Sequence, residues 1–447
     1  MDFWQASLLF VVWAPGMVFG ALGLLWLLGW VVSERVVSRL TRVTFSASIL
    51  ALALIIWRLA STGTESIMVT FGNWFAVHDY HFPLVLLVDR LSLPFLVLTV
   101  ALSGLIGQFS ATYLHRERGF LRFFLLLHLF AFGSLLAFAA GSFDLLVAGW
   151  EIVGITSVLL IAFFQQRAAP VENGLRVFAV YRACDIGLLV GVFAMHHWAG
   201  TASFAGGLPQ LTGTQPVIVC LLLLLAAAGK AAQVPFSGWL PRAMEGPTPS
   251  SAIFYGAISI HAGAYLLLRA QPMLAQSLLA TTLVVVIGVI TAVHGTIVGR
   301  ASADAKTSLA YASLTQVGIV FVEIGLGWKW FAVAHILGHA TVRTLQFLRA
   351  PSMLHDYHKM HSAVGGDLSP TGTQWEDLLP EPARLWLYRW ALDRGHLDTI
   401  LDRFMISPLM SLSSFFGRLD NWGLHQSASR REKVALSLQS PASQGGD

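Results

Sequence analysis

Apolar stretches of about twenty residues recur along most of this 447-residue chain, each long enough to cross roughly 30 Å of hydrocarbon. That pattern constrains the fold more than any other. In hydrocarbon every backbone N–H and C=O must be satisfied within its own segment, so runs of this length become helices. Composition agrees: 55% of residues are hydrophobic and 12% charged, about half the charged fraction usual in soluble proteins. The expected fold is all-α: a polytopic membrane protein of about eleven transmembrane helices. The spans fall at roughly 6–32, 43–60, 84–109, 121–140, 143–164, 174–197, 215–240 (broken), 250–269, 276–299, 306–327 and 330–349. The first run lacks a basic leader and continues past signal-peptide length, so no cleavable signal is expected.

Basic residues set the expected orientation. Loops after odd-numbered spans hold Arg35, Arg39, Arg42, Arg116, Arg118, Arg167, Arg242, Arg300 and Lys306, whereas the others hold little beyond Arg58, Arg269 and Lys329. The positive-inside rule puts the N-terminus outside and the C-terminal tail in the cytoplasm, as for a multi-pass protein of a bacterial inner membrane. The net charge of +4 is scattered through short loops and gives no nucleic-acid footprint. The two cysteines, Cys184 and Cys220, lie in apolar runs and cannot build a disulfide framework or a Cys-based metal site. No Walker loop, dinucleotide fingerprint or haem motif is present, so no cofactor is expected in this chain.

Composition divides the chain into a transmembrane part, residues 1–350, and a polar part, residues 351–447, expected to be cytoplasmic. Within the second, Arg384 to about Trp422 has mixed three- and four-residue apolar spacing, the mark of a surface-lying or partner-docking helix. Ser427–Asp447 reads as disordered. His355, His358 and His361 are spaced three apart just past the last span, either a metal cluster or a solvated, partner-contacting loop.

Ionisable residues inside the apolar runs are the functional candidates, because a charge there must pair, protonate or face water. The seventh span ends in Lys230, and Pro235 then interrupts the helix and frees backbone groups. Glu151 lies in the fifth span. Arg182 and Asp185, three apart in the sixth, make an ordinary local ion pair or a pair that modulates the lysine. His261 in the eighth span is either a proton relay or a satisfied core histidine. His128 and His294 read as core histidines. Lys306, opening the tenth span, is a proton-path lysine or a snorkelling anchor, and Glu323 near its far end is a candidate exit. In the eleventh span His335, His339 and Arg343 recur every four residues, along one helix face. Two histidines so spaced could bind metal, but no third ligand is evident nearby.

Several runs match a known pattern. Lys230–Ala252 keeps K-x-A-Q-x-P-x-x-x-W-L-P-x-A-M-x-G-P-T-P-x-S-A, Gly149–Gly154 keeps G-W-E-x-V-G, and Asp304–Gly318 keeps D-x-K-x-x-x-A-Y-x-x-x-x-Q-x-G. Over about residues 80–350 the chain resembles the proton-pumping antiporter-like subunits of respiratory complex I and of Mrp antiporters. The resemblance implies that Glu151 pairs with Lys230, that Asp185 influences this pair, and that the eleventh-span face is the middle of a proton wire. Burial disfavours an ammonium and a nearby carboxylate favours it, so moving the carboxylate can switch the lysine's proton on and off. Two departures stand out. Tyr255 occupies the family's usual relay-histidine position. Arg343 stands where complex I subunits carry a lysine, and arginine, always protonated, cannot relay.

The run H-x-x-x-H-A-x-x-R-x-L-Q-x-L-R-A-P-S and the shortness of the chain look most like the DabB family, membrane subunits of the DAB inorganic-carbon transporters. That resemblance implies a cytoplasmic partner, DabA, with a β-carbonic-anhydrase-like zinc site. Proton or sodium flow through the membrane subunit would drive CO2 hydration to bicarbonate in the partner. The zinc and the catalysis would then belong to the partner, leaving this chain a transporter subunit and not an enzyme. The alternatives are a pumping subunit of a respiratory or hydrogenase complex, an Mrp-type sodium/proton antiporter, and a membrane scaffold.

Overall fold

The computed structural model describes residues 2–77, 80–205, 207–302, 304–364 and 379–421, with only the backbone given for residues 80 and 351–364. Two long helices, α1 (Phe3–Leu27) and α2 (Glu34–Thr62), open the chain. A hairpin follows, β1 (Ser66–Val77) paired antiparallel with β2 (Tyr80–Asp89). Next come α3 (Ser92–Tyr113), α4 (Phe120–Phe138), α5 (Phe143–Ile161) and α6 (Ala168–Ala199). The broken region holds α7 (Gln215–Lys230), the one-turn α8 (Trp239–Arg242), α9 (Thr248–Phe254) and α10 (Ser259–Leu274). The helices α11 (Leu278–Arg300), α12 (Ala305–Gly325), α13 (Lys329–Val364) and α14 (Glu381–Leu392) complete the first unit. Ser33, Ser142, Ser277 and Asp304 cap α2, α5, α11 and α12 by accepting from backbone N–H groups that the first turn leaves orphaned.

The fold is predominantly helical, and among the described residues nine helical segments are long and apolar enough to cross a membrane. The nine do not reach the expected eleven. The sixteen-residue α7 is apolar but shorter than a full span, and α13 falls outside the nine. The all-α expectation needs correcting at residues 66–89, where the apolar runs Ile67–Val69 and Leu84–Val88 pair in the hairpin. The expected third span began at residue 84, but Leu86, Leu87 and Val88 are buried strand residues, and α3 starts only at Ser92. A short apolar run cannot by itself be told from a helix segment. The eighth span is also broken, between Phe254 and Ser259.

In the tail, α13 runs on through Pro351 to Val364, so the change in composition is not a helix end. The side chains of His355, His358 and His361, and all of Ser427–Asp447, lie outside the described residues. The single amphipathic helix expected from Arg384 is interrupted at Asp393–His396, where Arg394, Gly395 and His396 have φ of 52°, 65° and 59°. A second compact unit, Asp398–Asp447, carries the end of α15 (Leu397–Leu401) and a π-helical turn at Asp402–Ile406.

Packing in the first unit depends on glycines where helices cross. A Cβ on Gly149 of α5 would lie 2.4 Å from the backbone N of Ala137 and 2.5 Å from the carbonyl O of Gly133, both on α4. Gly288 of α11 and Gly318 of α12 approach each other in the same way. Such contacts bring backbones together where lipid supplies no hydrophobic drive for helix association. Gly149→Val is therefore expected to cost about 2 kcal/mol, because backbone cannot move aside as a side-chain end can. Thermal unfolding in detergent would measure it, with Gly20→Val, which meets no atom within 4 Å, as the control.

Candidate proton-conducting site

Lys230 is the last residue of α7 and is 1% exposed. Its Nζ donates to the Trp150 carbonyl O at 3.2 Å and sits 4.2 Å from the Tyr181 ring centroid and 4.8 Å from that of Trp150. The helix ends here because the chain turns away: Gln233 N donates to Ala228 O and Trp239 Nε1 to Gly229 O, satisfying carbonyls that a continuing helix would have used. Room for the ammonium comes from Gly154, one turn beyond Trp150, where a Cβ would stand 2.9 Å from Nζ.

The expected direct Glu151–Lys230 pair is not formed. Glu151 is instead ion-paired with Arg182, whose Nη2 also donates to Asp185 Oδ2 at 2.7 Å. Asp185 is 2% exposed, and its other oxygen accepts from Trp150 Nε1 at 2.6 Å. The two carboxylates are thus held by Arg182, while Lys230 rests on a carbonyl and two aromatic faces and has no carboxylate within ion-pair distance among the described residues. The physical reason is geometric: Arg182, in a forked geometry, reaches both acids, one on its own helix and one on α5.

Sequence reasoning missed Trp150, which meets Lys230 through its carbonyl and its ring and Asp185 through its N–H. The only signal for it was its place beside Glu151 in the G-W-E motif. Removing the indole N–H with Trp150→Phe keeps a ring under Lys230 but deprives Asp185 of a donor. A double-mutant cycle with Asp185→Asn, read by thermal stability, is expected to give a coupling of about 1.5–3 kcal/mol.

A second cluster lies where α10, α12 and α13 meet. The break between α9 and α10 leaves the Ala257 carbonyl pointing at His261, whose Nδ1 donates to it. His261 Nε2 bonds His339 Nδ1 at 3.1 Å, and both rings are buried. A carbonyl only accepts, so neutral His261 carries its hydrogen on Nδ1, His339 donates to its Nε2, and His339 Nε2 is left as a bare acceptor. That nitrogen is buried with no partner among the described residues.

One turn earlier on α13, His335 bonds Glu323 through Nδ1 at 2.7 Å and Gln316 through Nε2 at 2.9 Å. Glu323 is 4% exposed and is a partner of His335, a link not read from the sequence. Arg343 is 9% exposed on the same helix and has no ion pair among the described residues. Tyr181, whose ring holds Lys230, and Tyr255 are both buried, and Ser259, two residues before His261, contacts Ser157 at 3.5 Å. Lys306, in the first turn of α12, joins neither cluster through a hydrogen bond or ion pair among the described residues. Pro235 follows the turn that ends α7. Among the described residues no three His, Cys, Asp or Glu side chains converge as a metal site.

The two histidines read as core residues have ordinary partners: His128 bonds Thr41 at 3.0 Å, and His294 meets Ser237 at 3.4 Å.

Comparison with known proteins follows the same outline. Residues 140–365, half of the chain, match the family model described as NADH:quinone oxidoreductase/Mrp antiporter, TM, and residues 74–124 match that of NADH-ubiquinone oxidoreductase (complex I), chain 5 N-terminus. The chain is 36% identical over 277 residues to NADH-quinone oxidoreductase subunit L of Mycobacterium tuberculosis, covering 61% of this chain and 44% of that one. It is 31% identical over 318 residues to NADH-ubiquinone oxidoreductase chain 5 of Neurospora crassa, covering 70% of this chain and 44% of that one. It spans less than half the length of these relatives. Its fold is similar to a chain of the Mrp complex from Dietzia sp., with a TM-score of 0.64, 24% identity and coverage of 75% of this chain and 37% of that one. It is also similar to a chain of an archaeal membrane-bound sulfane sulfur reductase, with a TM-score of 0.66, 21% identity and coverage of 77% and 70%. A membrane-embedded helical core, a broken helix ending in a buried lysine and a match over half its length place this chain in the antiporter-like family of complex I and Mrp transmembrane subunits.

Proposed function

We propose that this chain conducts cations, protons foremost, as the antiporter-like subunit of a larger membrane assembly. The observation that carries this is Lys230: a buried ammonium at a helix break, solvated by a carbonyl and two rings, with two carboxylates beside it held by one arginine. If the Arg182 fork releases Glu151, that carboxylate is free to approach the lysine and favour its charged form; when the fork closes, the ammonium loses that support. The histidine cluster supplies the continuation, with Glu151, Lys230, His261, His339 and His335 in the path and Arg182, Asp185, Glu323 and Arg343 tuning it. Lys306 stands apart and serves as a gate or anchor at the end of α12. Each charge that crosses releases about 2.3 kcal/mol per 100 mV, enough to drive a coupled step.

The test is purified protein in liposomes with an imposed potential and an internal pH dye, with and without sodium. Acidification that depends on Glu151 and Lys230 and ignores sodium supports proton conduction. Flux that requires sodium moves the reading to Mrp-type exchange. Potential-driven flux that Glu151→Gln and Lys230→Ala leave intact overturns the path.

A finer reading is favoured by Arg343. A fixed charge in place of a relaying lysine suits a subunit that passes ions down their gradient to power a partner. On this reading the partner is a DabA-like cytoplasmic protein whose zinc site hydrates CO2, and this chain is its energy converter. Growth at ambient CO2 of a host lacking carbonic anhydrase, expressing this chain with such a partner, tests it. Rescue abolished by Lys230→Ala and by an uncoupler supports the finer reading, and rescue that survives Lys230→Ala reduces the chain to a scaffold.

A further inference from the structure

Arg343 lies roughly 20 Å along α13 from its start and is 9% exposed. A guanidinium so placed is costly without a counter-charge. The helices packed closely on α13 do not supply one. α3 and α9 contain no acidic residue, and the only acid of α12 is Glu323, which is bonded to His335. The Arg343 Nε is buried and makes no hydrogen bond among the described residues. One turn earlier His339 is also 9% exposed, and its Nε2 is the buried, unpartnered acceptor described above.

Residues four apart on a helix share a face, with Cβ atoms about 5–6 Å apart, and long side chains lean back over the preceding turn. A donor and an acceptor on adjacent turns of one face could satisfy each other, yet Arg343 and His339 do not bond. A single group that accepts from the guanidinium and donates to the imidazole satisfies both. Water does this but leaves the charge uncompensated. A halide compensates the charge and has no hydrogen to give.

We propose that Arg343 and His339 bind a small oxyanion that keeps a hydroxyl, the class of hydrogencarbonate, with its negative oxygens on the guanidinium and its O–H on His339 Nε2. The planar guanidinium matches oxyanion geometry. The low exposure of both residues keeps large anions out. A carboxylate side chain from another subunit would neutralise the arginine, but an ionised carboxylate only accepts and leaves the imidazole nitrogen bare. Binding of this kind is independent of whether the chain conducts protons.

The experiment is thermal unfolding of the purified full chain in detergent at fixed pH and potassium concentration, with hydrogencarbonate, nitrate or gluconate as the anion. Nitrate matches hydrogencarbonate in charge and planarity but has no hydroxyl, and gluconate is too large for the site. The expected result is a saturable rise in the unfolding midpoint with hydrogencarbonate. Half-saturation should come at about tenfold lower concentration than with nitrate, the worth of one hydrogen bond to a buried acceptor. Gluconate should give no saturable rise, and Arg343→Gln should abolish the response to the other two. An equal response to nitrate and hydrogencarbonate overturns the proposal, as does a response unchanged in Arg343→Gln. The absence of any saturable response overturns it too, and leaves water or a neighbouring subunit on the arginine. Should Arg343→Gln fail to fold, His339→Phe keeps the guanidinium and must erase the preference for hydrogencarbonate over nitrate.

Discussion

Lys230→Ala is expected to lower potential-driven proton flux by about a hundredfold, the scale on which removing a positioned proton-transfer group acts. The loss should be functional and not structural. An alanine leaves a small void beside Trp150 and Tyr181, and it removes a buried charge whose desolvation opposed folding. Unchanged thermal unfolding with abolished flux, measured on one preparation in liposomes and detergent, is the expected combination. Lys230→Arg separates the roles further. It keeps the charge, but a guanidinium cannot give up its proton, and Gly154 leaves little room for it. Flux retained by the arginine variant would show that Lys230 supplies only a fixed field.

The second large effect is expected at the other end of α10. Asp89, closing β2, forms a two-pronged ion pair with Arg269 at 2.5 and 3.2 Å. Arg269 in turn donates to Tyr265 Oη at 2.8 Å, and Tyr265 donates to the Phe138 carbonyl at 2.8 Å. One chain of hydrogen bonds thus ties the hairpin to α10 and to the end of α4. The Arg269 side chain is 8% exposed against 25% for Asp89, which makes the two deletions unequal. Asp89→Ala strands a buried guanidinium and removes the acceptor for Leu91 N and Ser92 N at the start of α3. The expected cost is about 3–5 kcal/mol. Arg269→Leu leaves a carboxylate that water can reach and fills the space with apolar atoms, so it should cost less than half as much. Denaturant or thermal unfolding of the two variants checks the order, and a reversed order would show that the arginine is not what burial penalises.

How far the sequence announces all this varies with the feature. Long spans such as α5 and α11 were legible because hydrocarbon leaves a twenty-residue apolar run only one backbone solution. The broken seventh helix was legible because Pro235 has no N–H to donate and the lysine before it needed a reason. The hairpin was not. Leu84–Val88 is an unbroken apolar run that also reads as the start of a helix, and length alone settles that ambiguity wrongly. The break before His261 left even less trace: Gly256 is its only local mark, and what requires it is close packing, with a Cβ there 2.5 Å from the Ala252 carbonyl.

At the site, the motifs picked out Glu151, Arg182, Asp185 and Lys230, which the fold gathers around Trp150 and Arg182, because spacing fixes which side chains share a face. They did not give the pairing. Arg182, three residues from Asp185, looked like a local ion pair, and only the tertiary approach of α5 to α6 puts Glu151 within its reach. Glu323 and His335 are likewise on different helices, and nothing in their spacing announces that they meet.

The tether between His261 and the Ala257 carbonyl has a consequence for timing. A proton delivered to His261 Nε2 cannot leave through Nδ1, since a backbone carbonyl will not take it. To hand the charge onward the imidazole must break that bond and turn, and then turn back empty. The return is made by a neutral ring, on which a membrane potential exerts almost no force. If His261 lies on the proton path as proposed, transport through such a pivot saturates: beyond a certain voltage, pushing harder on the proton no longer shortens the cycle, and the ring's own rotation keeps the pace.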